Sequence, residues 1–139
     1  MTDRKNAKYI VSDLVANPDA GPEPSDYSEW AKRVLWMNNK IVPGAYNMMA
    51  SWYLKTPAKR LEAHVHDYPE VIIFLGSDPE APHDLGGEIE FWLDDEQYIL
   101  TRSCFIFVPL GLRHCPLVVR RVDHPILHLG SSVRRDFKM

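Results

Sequence analysis

The stretch His64-Val65-His66-Asp67-Tyr68-Pro69-Glu70-Val71-Ile72-Ile73-Phe74-Leu75 decides how this 139-residue chain is read. Its second half, Val71 to Leu75, is short and apolar throughout, the pattern of a strand covered on both faces. In the first half, side chains two apart on an extended segment share a face, so His64 and His66 converge while Val65 points away. Pro69 has no amide hydrogen to give to a sheet ladder, so a continuous central strand through it is not expected. Asp67-Tyr68-Pro69 is instead expected to turn or bulge and to bring Glu70 back beside the two imidazoles.

Downstream, Pro109-Leu110-Gly111-Leu112-Arg113-His114 follows the apolar run Cys104 to Val108. Pro109 and Gly111 signal a turn that delivers His114 from another part of the fold. Neutral imidazole is the commonest metal ligand, and a carboxylate adds an anionic oxygen. His64, His66, Glu70 and His114 therefore form a candidate site for one divalent transition metal. Three nitrogens and one oxygen suit Fe, Mn, Zn, Ni, Co or Cu, and a five- or six-coordinate ion keeps positions open for water, oxygen or a chelating substrate.

On both sides of these runs, strand signals dominate. Arg33 to Met37 and Ala45 to Leu54 precede the histidines, with Pro43-Gly44 as a turn between them. Glu88 to Leu93 alternates, placing Ile89, Phe91 and Leu93 on one face. Tyr98 to Thr101, Cys104 to Val108, Leu117 to Val122 and Pro125 to Leu129 supply further strands. Short strands at regular spacing argue an all-β sandwich or barrel in one domain, residues 1–139. Residues 1–40 read as an N-terminal extension. Tyr9-Ile10-Val11 is a candidate edge strand there, and Ser25 or Ser28 a candidate cap for a short helix through Glu29 to Lys32.

Composition narrows the function classes. The formal net charge of −3 leaves no basic footprint for nucleic acid. No apolar run approaches the ~20 residues of a membrane-spanning helix. The first residues lack the apolar stretch of a signal peptide, so the expected location is cytoplasmic. Cys104 and Cys115 are then expected to be reduced. Strand alternation turns Cys115 away from any metal that its neighbour His114 faces.

Both histidine runs resemble the two sequence motifs of the cupin superfamily. The first family motif reads Gly, five residues, His-x-His, three or four residues, Glu, six residues, Gly; His64, His66 and Glu70 match it. Ala58 stands at the leading Gly position, and the trailing Gly is displaced by one to Gly76. The second reads Gly, five residues, Pro-x-Gly, two residues, His, three residues, Asn; Pro109, Gly111 and His114 match it, with Ser103 and Val118 at its outer positions. The resemblance covers roughly residues 45–130. It implies a small antiparallel β-barrel or jelly roll, with the metal inside on His64, His66, Glu70 and His114. It also implies a homodimer paired through sheet edges or swapped N-terminal strands, with the contact falling before residue 40.

Other residues are candidates for substrate contact or chemistry. The aromatic and methionine-rich run Ala45 to Tyr53 offers Tyr53 and Trp52 as lining residues, on opposite faces of one strand, and Phe74 joins them. Arg60, beside Lys59 just before the first motif, is a candidate clamp for a substrate carboxylate. His128, in the final apolar strand, is a candidate general base, and Tyr68 offers a phenol between two ligands. The expected function is metal-dependent chemistry on a small, partly apolar metabolite: isomerase, lyase, decarboxylase or dioxygenase. A non-catalytic small-molecule binding or sensing barrel with a structural metal is the alternative.

Overall fold

A computed structural model describes residues 4–15, 27–56 and 62–133. After a 3-10 turn (Ala7–Tyr9) and one helical turn, α1 (Tyr27–Trp30), the described chain is extended. Its strands are β1 (Ala31–Met37), β2 (Asn47–Tyr53), β3 (Glu70–Gly76), β4 (Asp84–Leu93), β5 (Glu96–Arg102), β6 (Cys104–Val108), β7 (His114–Val122) and β8 (Ile126–Ser132). They form a five-stranded sheet, β1-β2-β8-β3-β6, and a three-stranded sheet, β5-β4-β7. All the pairings are antiparallel. The architecture is a jelly-roll sandwich of two antiparallel sheets, within the all-β sandwich or barrel expected.

The core lies between the sheets. Phe74, Ile72 and Ile126 from the large sheet meet Leu85, Ile89, Phe91, Leu117 and Val119 from the small one. The rings of Phe74 and Phe91 meet edge to face with centroids 6.3 Å apart. The alternation expected in Glu88 to Leu93 holds, since Ile89 and Phe91 are buried and Leu93 packs against them. For Val71 to Leu75 the expectation of two covered faces is overturned. Ile72 and Phe74 are buried, but Val71, Ile73 and Leu75 face outward and are part-exposed.

Register sorts the large sheet into inward and outward rows. One inward row runs Arg33, Ser51, His128, Phe74 and Cys104; two residues along lie Trp36, Met49, Gly130, Ile72 and Ile106; beyond them lie Asn47, Ser132, Glu70 and Val108. An irregularity in β1 between Arg33 and Leu35 shifts the pairing by one residue. Such a bulge re-aims side chains. Here it turns both Arg33 and Trp36 inward.

The N-terminal expectations are partly revised. Tyr9-Ile10-Val11 forms no strand: Tyr9 ends the 3-10 turn, and Tyr9 and Ile10 are exposed. The helical segment ends at Trp30, which is buried, and β1 takes over at Ala31. Lys59, Arg60, Ala58 and Ser25 lie outside the described residues.

Two of the four positions where the family motifs are altered meet in space. Gly76 donates its amide hydrogen to Ser103 Oγ (2.9 Å), and that hydroxyl donates to the carbonyl of Pro82 (2.8 Å). A Cβ at Gly76 would stand 1.9 Å from the backbone oxygen of Asp84, so only glycine fits this crossing.

Candidate metal centre

Each histidine is held by backbone as well as by its place in the sequence. His64 and His114 pair as an isolated antiparallel bridge, each amide donating to the other's carbonyl at 3.0 Å. The Gly111 amide donates to the His66 carbonyl (3.0 Å), and the Leu112 amide to Pro109 (3.1 Å). Gly111 has φ +82°, a conformation that glycine adopts without strain. So the Pro-x-Gly turn both delivers His114 and pins the loop carrying His66. The chain bends at Asp67 and Tyr68, as expected, and Glu70 follows as the first residue of β3, beside the imidazoles.

The four side chains converge where the two sheets meet at one end of the sandwich. One ligand atom from each of His64, His66, Glu70 and His114 lies within 4.8 Å of the others. Glu70 Oε1 is 2.7 Å from His114 Nε2 and 3.5 Å from His66 Nε2. Ring centroids are 4.7 Å apart for His64 and His66, and 4.3 Å for His64 and His114. His64 Nδ1 lies 2.9 Å from the Glu62 carbonyl and His114 Nδ1 lies 3.0 Å from the Leu112 carbonyl. A carbonyl only accepts, so each Nδ1 carries the hydrogen and each Nε2 presents a lone pair, as metal-bound histidines do.

The electrostatics follow from crowding three imidazoles around one carboxylate. Burial alone would push the Glu70 carboxyl up. The close approach of His114 and the nearby imidazoles outweigh it and hold the carboxyl below its usual range. Desolvation, joined by His64 and His114, lowers His66 against the pull of Glu70. Desolvation also lowers His114, but Glu70 and the Leu112 carbonyl raise it more. Two neighbouring imidazoles are thus driven in opposite directions around one carboxylate.

The donor set fits a divalent ion. His114 is 1% exposed, and its Nε2 finds no partner aligned for a hydrogen bond; the 2.7 Å approach of Glu70 is off-line. A buried polar atom without a partner is costly. A cation among the four groups would satisfy it and offset their crowding. Cys115 is no part of the group: its thiol is pushed up to about 12, chiefly by burial, and stays protonated.

The remaining candidates separate by face. Tyr68 stacks on His66 with centroids 4.6 Å apart. His128 is on the inward face, layered between Tyr53 (5.2 Å) and Phe74 (4.9 Å). Its Nδ1 donates to the Ile73 carbonyl at 3.2 Å. Tyr53 is inward but 4% exposed, and Phe74 is 0% exposed, which makes Phe74 a core residue with no surface to offer a ligand. Trp52 pairs with Lys32 and Leu127 on the outward face, away from the metal group, because its alternation is opposite to that of Tyr53. Arg60 lies outside the described residues.

Burial holds the His128 ring at about 4, against the attraction of the Ile73 carbonyl. The unfolded chain therefore binds a proton at His128 that the folded chain refuses. Stability from this group is complete above the unfolded value near 6.5 and falls as pH drops toward 4, by up to ~3 kcal/mol. Urea unfolding at pH 7 and pH 4.5 should show His128→Phe losing less stability on acidification than the parent protein. Equal losses would remove His128 as the cause. Arg33, Tyr53 and Glu70 face it from β1, β2 and β3.

Arg33, to which the sequence reading assigned no role, is turned to the inward face. Its Nη1 donates to Ser51 Oγ (2.7 Å), and its guanidinium lies over the rings of Trp36 (4.2 Å) and Tyr27 (4.9 Å). The available signal was a lone arginine in the expected strand Arg33 to Met37, placed inward only by a bulge that the sequence does not announce.

No family model matches the chain, and no curated protein matches it. Solved structures do match. The DMSP lyase DddQ from Ruegeria pomeroyi DSS-3 aligns at TM-score 0.53 and 14% identity, over 92% of this chain and 59% of that one. An oxalate oxidase in complex with glycolate aligns at TM-score 0.54 and 12% identity, over 93% of this chain and 61% of that one. Both are cupin proteins. The chain has the cupin fold. It spans about three fifths of the length of each of those two proteins. KdgF from Halomonas sp. is also similar, at TM-score 0.48 and 19% identity over 76% of this chain and 79% of that one. Within the cupin fold, the four candidate ligands occupy the inward-facing mouth between the sheets, and among the described residues no helix is long and apolar enough to cross a membrane.

Proposed function

We propose that this protein is a metal-dependent enzyme acting on a small, partly apolar molecule, with one divalent metal held by His64, His66, Glu70 and His114. The observation that carries this reading is the convergence of four ligand atoms within 4.8 Å, two of them imidazole nitrogens whose opposite ring atoms are fixed by backbone carbonyls. A divalent metal on these residues supplies Lewis acidity toward a substrate oxygen. His64 and His114 hold their lone pairs in place through Glu62 and Leu112. Tyr68 covers one face of His66. Trp36, Met49 and Gly130 leave the inward face beyond Glu70 part-open, giving an apolar body somewhere to lie. His128, uncharged at neutral pH, is a hydrogen-bonding wall and not a cation.

The fold neighbours are named for a lyase and an oxidase, which span redox-neutral and redox chemistry. Isomerase, lyase, decarboxylase and dioxygenase chemistry are separated by experiment. Metal analysis of the protein from its native host comes first. Oxygen consumption by the Fe(II) form in the presence of a carboxylate and polyol panel then assigns dioxygenation, whereas conversion without oxygen uptake assigns redox-neutral chemistry. Absence of bound metal would sink the proposal.

One observation favours a second reading, a non-catalytic binding barrel. The inward titratable group outside the ligands that sequence singled out, His128, is held at about 4 and makes a poor base at neutral pH. Ligand binding by the metal-loaded protein with no turnover across the panel would support it.

A further inference from the structure

We propose that a groove behind the metal group, on the outward side of the small sheet, is a second binding site and takes a free basic amino acid. The groove encloses about 320 Å³, the lower end of the range for small-molecule sites. Trp92, Asp94, Asp95 and Arg113 line it, with Ala63 and Pro116 as apolar wall. Elsewhere on β4 and β7 the charges are paired off: Arg120 reaches Glu88 (3.4 Å) and Glu90 (3.9 Å), and Arg121 reaches Glu88 (3.6 Å) and Asp123 (3.0 Å). At the groove they are not. Among the described residues, Asp94, Asp95 and Arg113 form no ion pair, with one another or with any other group. Trp92 Nε1 donates to Glu90 Oε2 at 2.8 Å, which fixes the indole. The indole is part-exposed, and among the described residues no ring or cation lies over it.

The strands place these groups together. On β4, Ile89 and Phe91 are buried, so Trp92 stands on the opposite, outward face. Asp94 follows in the turn to β5, and its amide donates to the Arg113 carbonyl at 2.8 Å. That bond ties the acidic turn to the segment entering β7. Ala63 and Arg113 each stand one residue before a candidate ligand, His64 and His114, and those two pair as an isolated bridge. Neighbours on extended chain face opposite ways, so the groove shares backbone with the metal group but none of its ligand side chains. The site is therefore independent of the metal reading.

Charge defines the ligand class. Two carboxylates and one guanidinium are complemented by two cations and one carboxylate. A basic amino acid carries that set: an α-ammonium, a side-chain cation and an α-carboxylate. Arg113 offers a planar fork to the carboxylate. Asp94 and Asp95 take the two cations, and the Trp92 face attracts whichever lies over it, indole being the best of the aromatic faces for a cation. A neutral amino acid leaves one aspartate unanswered, and a diamine leaves Arg113 unanswered. The three charged side chains are exposed, so each contact contributes only a few-fold and selectivity comes from the three together.

The test is calorimetric titration of the full-length protein with L-arginine and L-lysine. Beside them run agmatine, which lacks the carboxylate, L-norvaline, which lacks the side-chain cation, and Nα-acetyl-L-arginine, which lacks the α-ammonium. One site is expected for the two basic amino acids, with each of the three deletions weakening binding ~3- to 10-fold. Asp95→Asn and Asp94→Asn are each expected to weaken L-arginine by a similar factor; asparagine tolerates the φ of +55° at position 94. Arg113→Gln is expected to erase the preference for L-arginine over agmatine. These three variants replace exposed side chains and are expected to keep the fold and metal content of the parent. Fluorescence gives a second readout: of the four tryptophans, Trp92 carries the response, and Trp92→Phe should remove it. No binding of either basic amino acid, or agmatine or Nα-acetyl-L-arginine binding as tightly as L-arginine, overturns the proposal. So does a fluorescence response that survives Trp92→Phe. Affinity for L-arginine that is indifferent to all the folded groove variants would place the amino acid on the metal instead, and overturns it as well.

Discussion

Replacing His114 with alanine is expected to strip the protein of its metal, with affinity falling by more than ~100-fold. Loss of a mere supporting partner costs a metal site ~10- to 100-fold, and His114 is itself a ligand. It is also 1% exposed and sits against Glu70 at 2.7 Å, so no solvent molecule substitutes for it without rearrangement. Glu70→Gln should weaken binding by a smaller factor, because the amide keeps an oxygen but loses the charge. Cys115→Ala should keep full metal content, since its thiol takes no part in the group. Metal stoichiometry after dialysis and competition with a chromogenic chelator would measure all three. Stoichiometric metal in folded His114→Ala would end the reading of this site.

Phe74→Ala carries the second large effect, on stability. Phe74 is fully buried, meets Phe91 at 6.3 Å and Tyr53 at 6.4 Å, and stacks on His128 at 4.9 Å. Truncating a buried phenylalanine removes its transfer energy and leaves a cavity between the sheets, a loss of ~3–5 kcal/mol. Urea unfolding should show a lower midpoint with an unchanged slope. Trp52→Ala, on the outer face, is expected to leave small-molecule binding at the metal centre intact. An unchanged unfolding midpoint in Phe74→Ala, with altered ligand binding, would return Phe74 to the substrate wall.

Much of this was legible in the residues. The ligand set was readable because i, i+2 spacing and a Pro-x-Gly turn are local signals with direct geometric meaning, and the structure brings His64, His66, Glu70 and His114 together. The alternation of Ile89 and Phe91 was equally local. What the sequence hid was set by tertiary pairing. Val71, Ile73 and Leu75 read as core because an apolar run carries no record of whether anything covers its second face. The facing of Arg33 depended on one extra residue in β1, and register slips of that kind leave no compositional trace. Whether Tyr53 or Trp52 looks inward likewise waited on the partner strand. Tyr9-Ile10-Val11 had strand composition but found no ladder to join.

The bridge between His64 and His114 has a thermodynamic consequence. The loop bearing two ligands is fastened to the rest of the molecule by that reciprocal pair of amides and by the Gly111 contact to His66. An ion gripping both sides of this seam acts as a rivet, and its binding energy becomes folding energy by mass action. At a free metal concentration ~100 times the dissociation constant, the folded state gains ~2.7 kcal/mol. With the proposed metal bound, the heat resistance of this protein is expected to track the metal supply around it, and a melting curve taken across a metal titration would read the ion's affinity without any substrate being known.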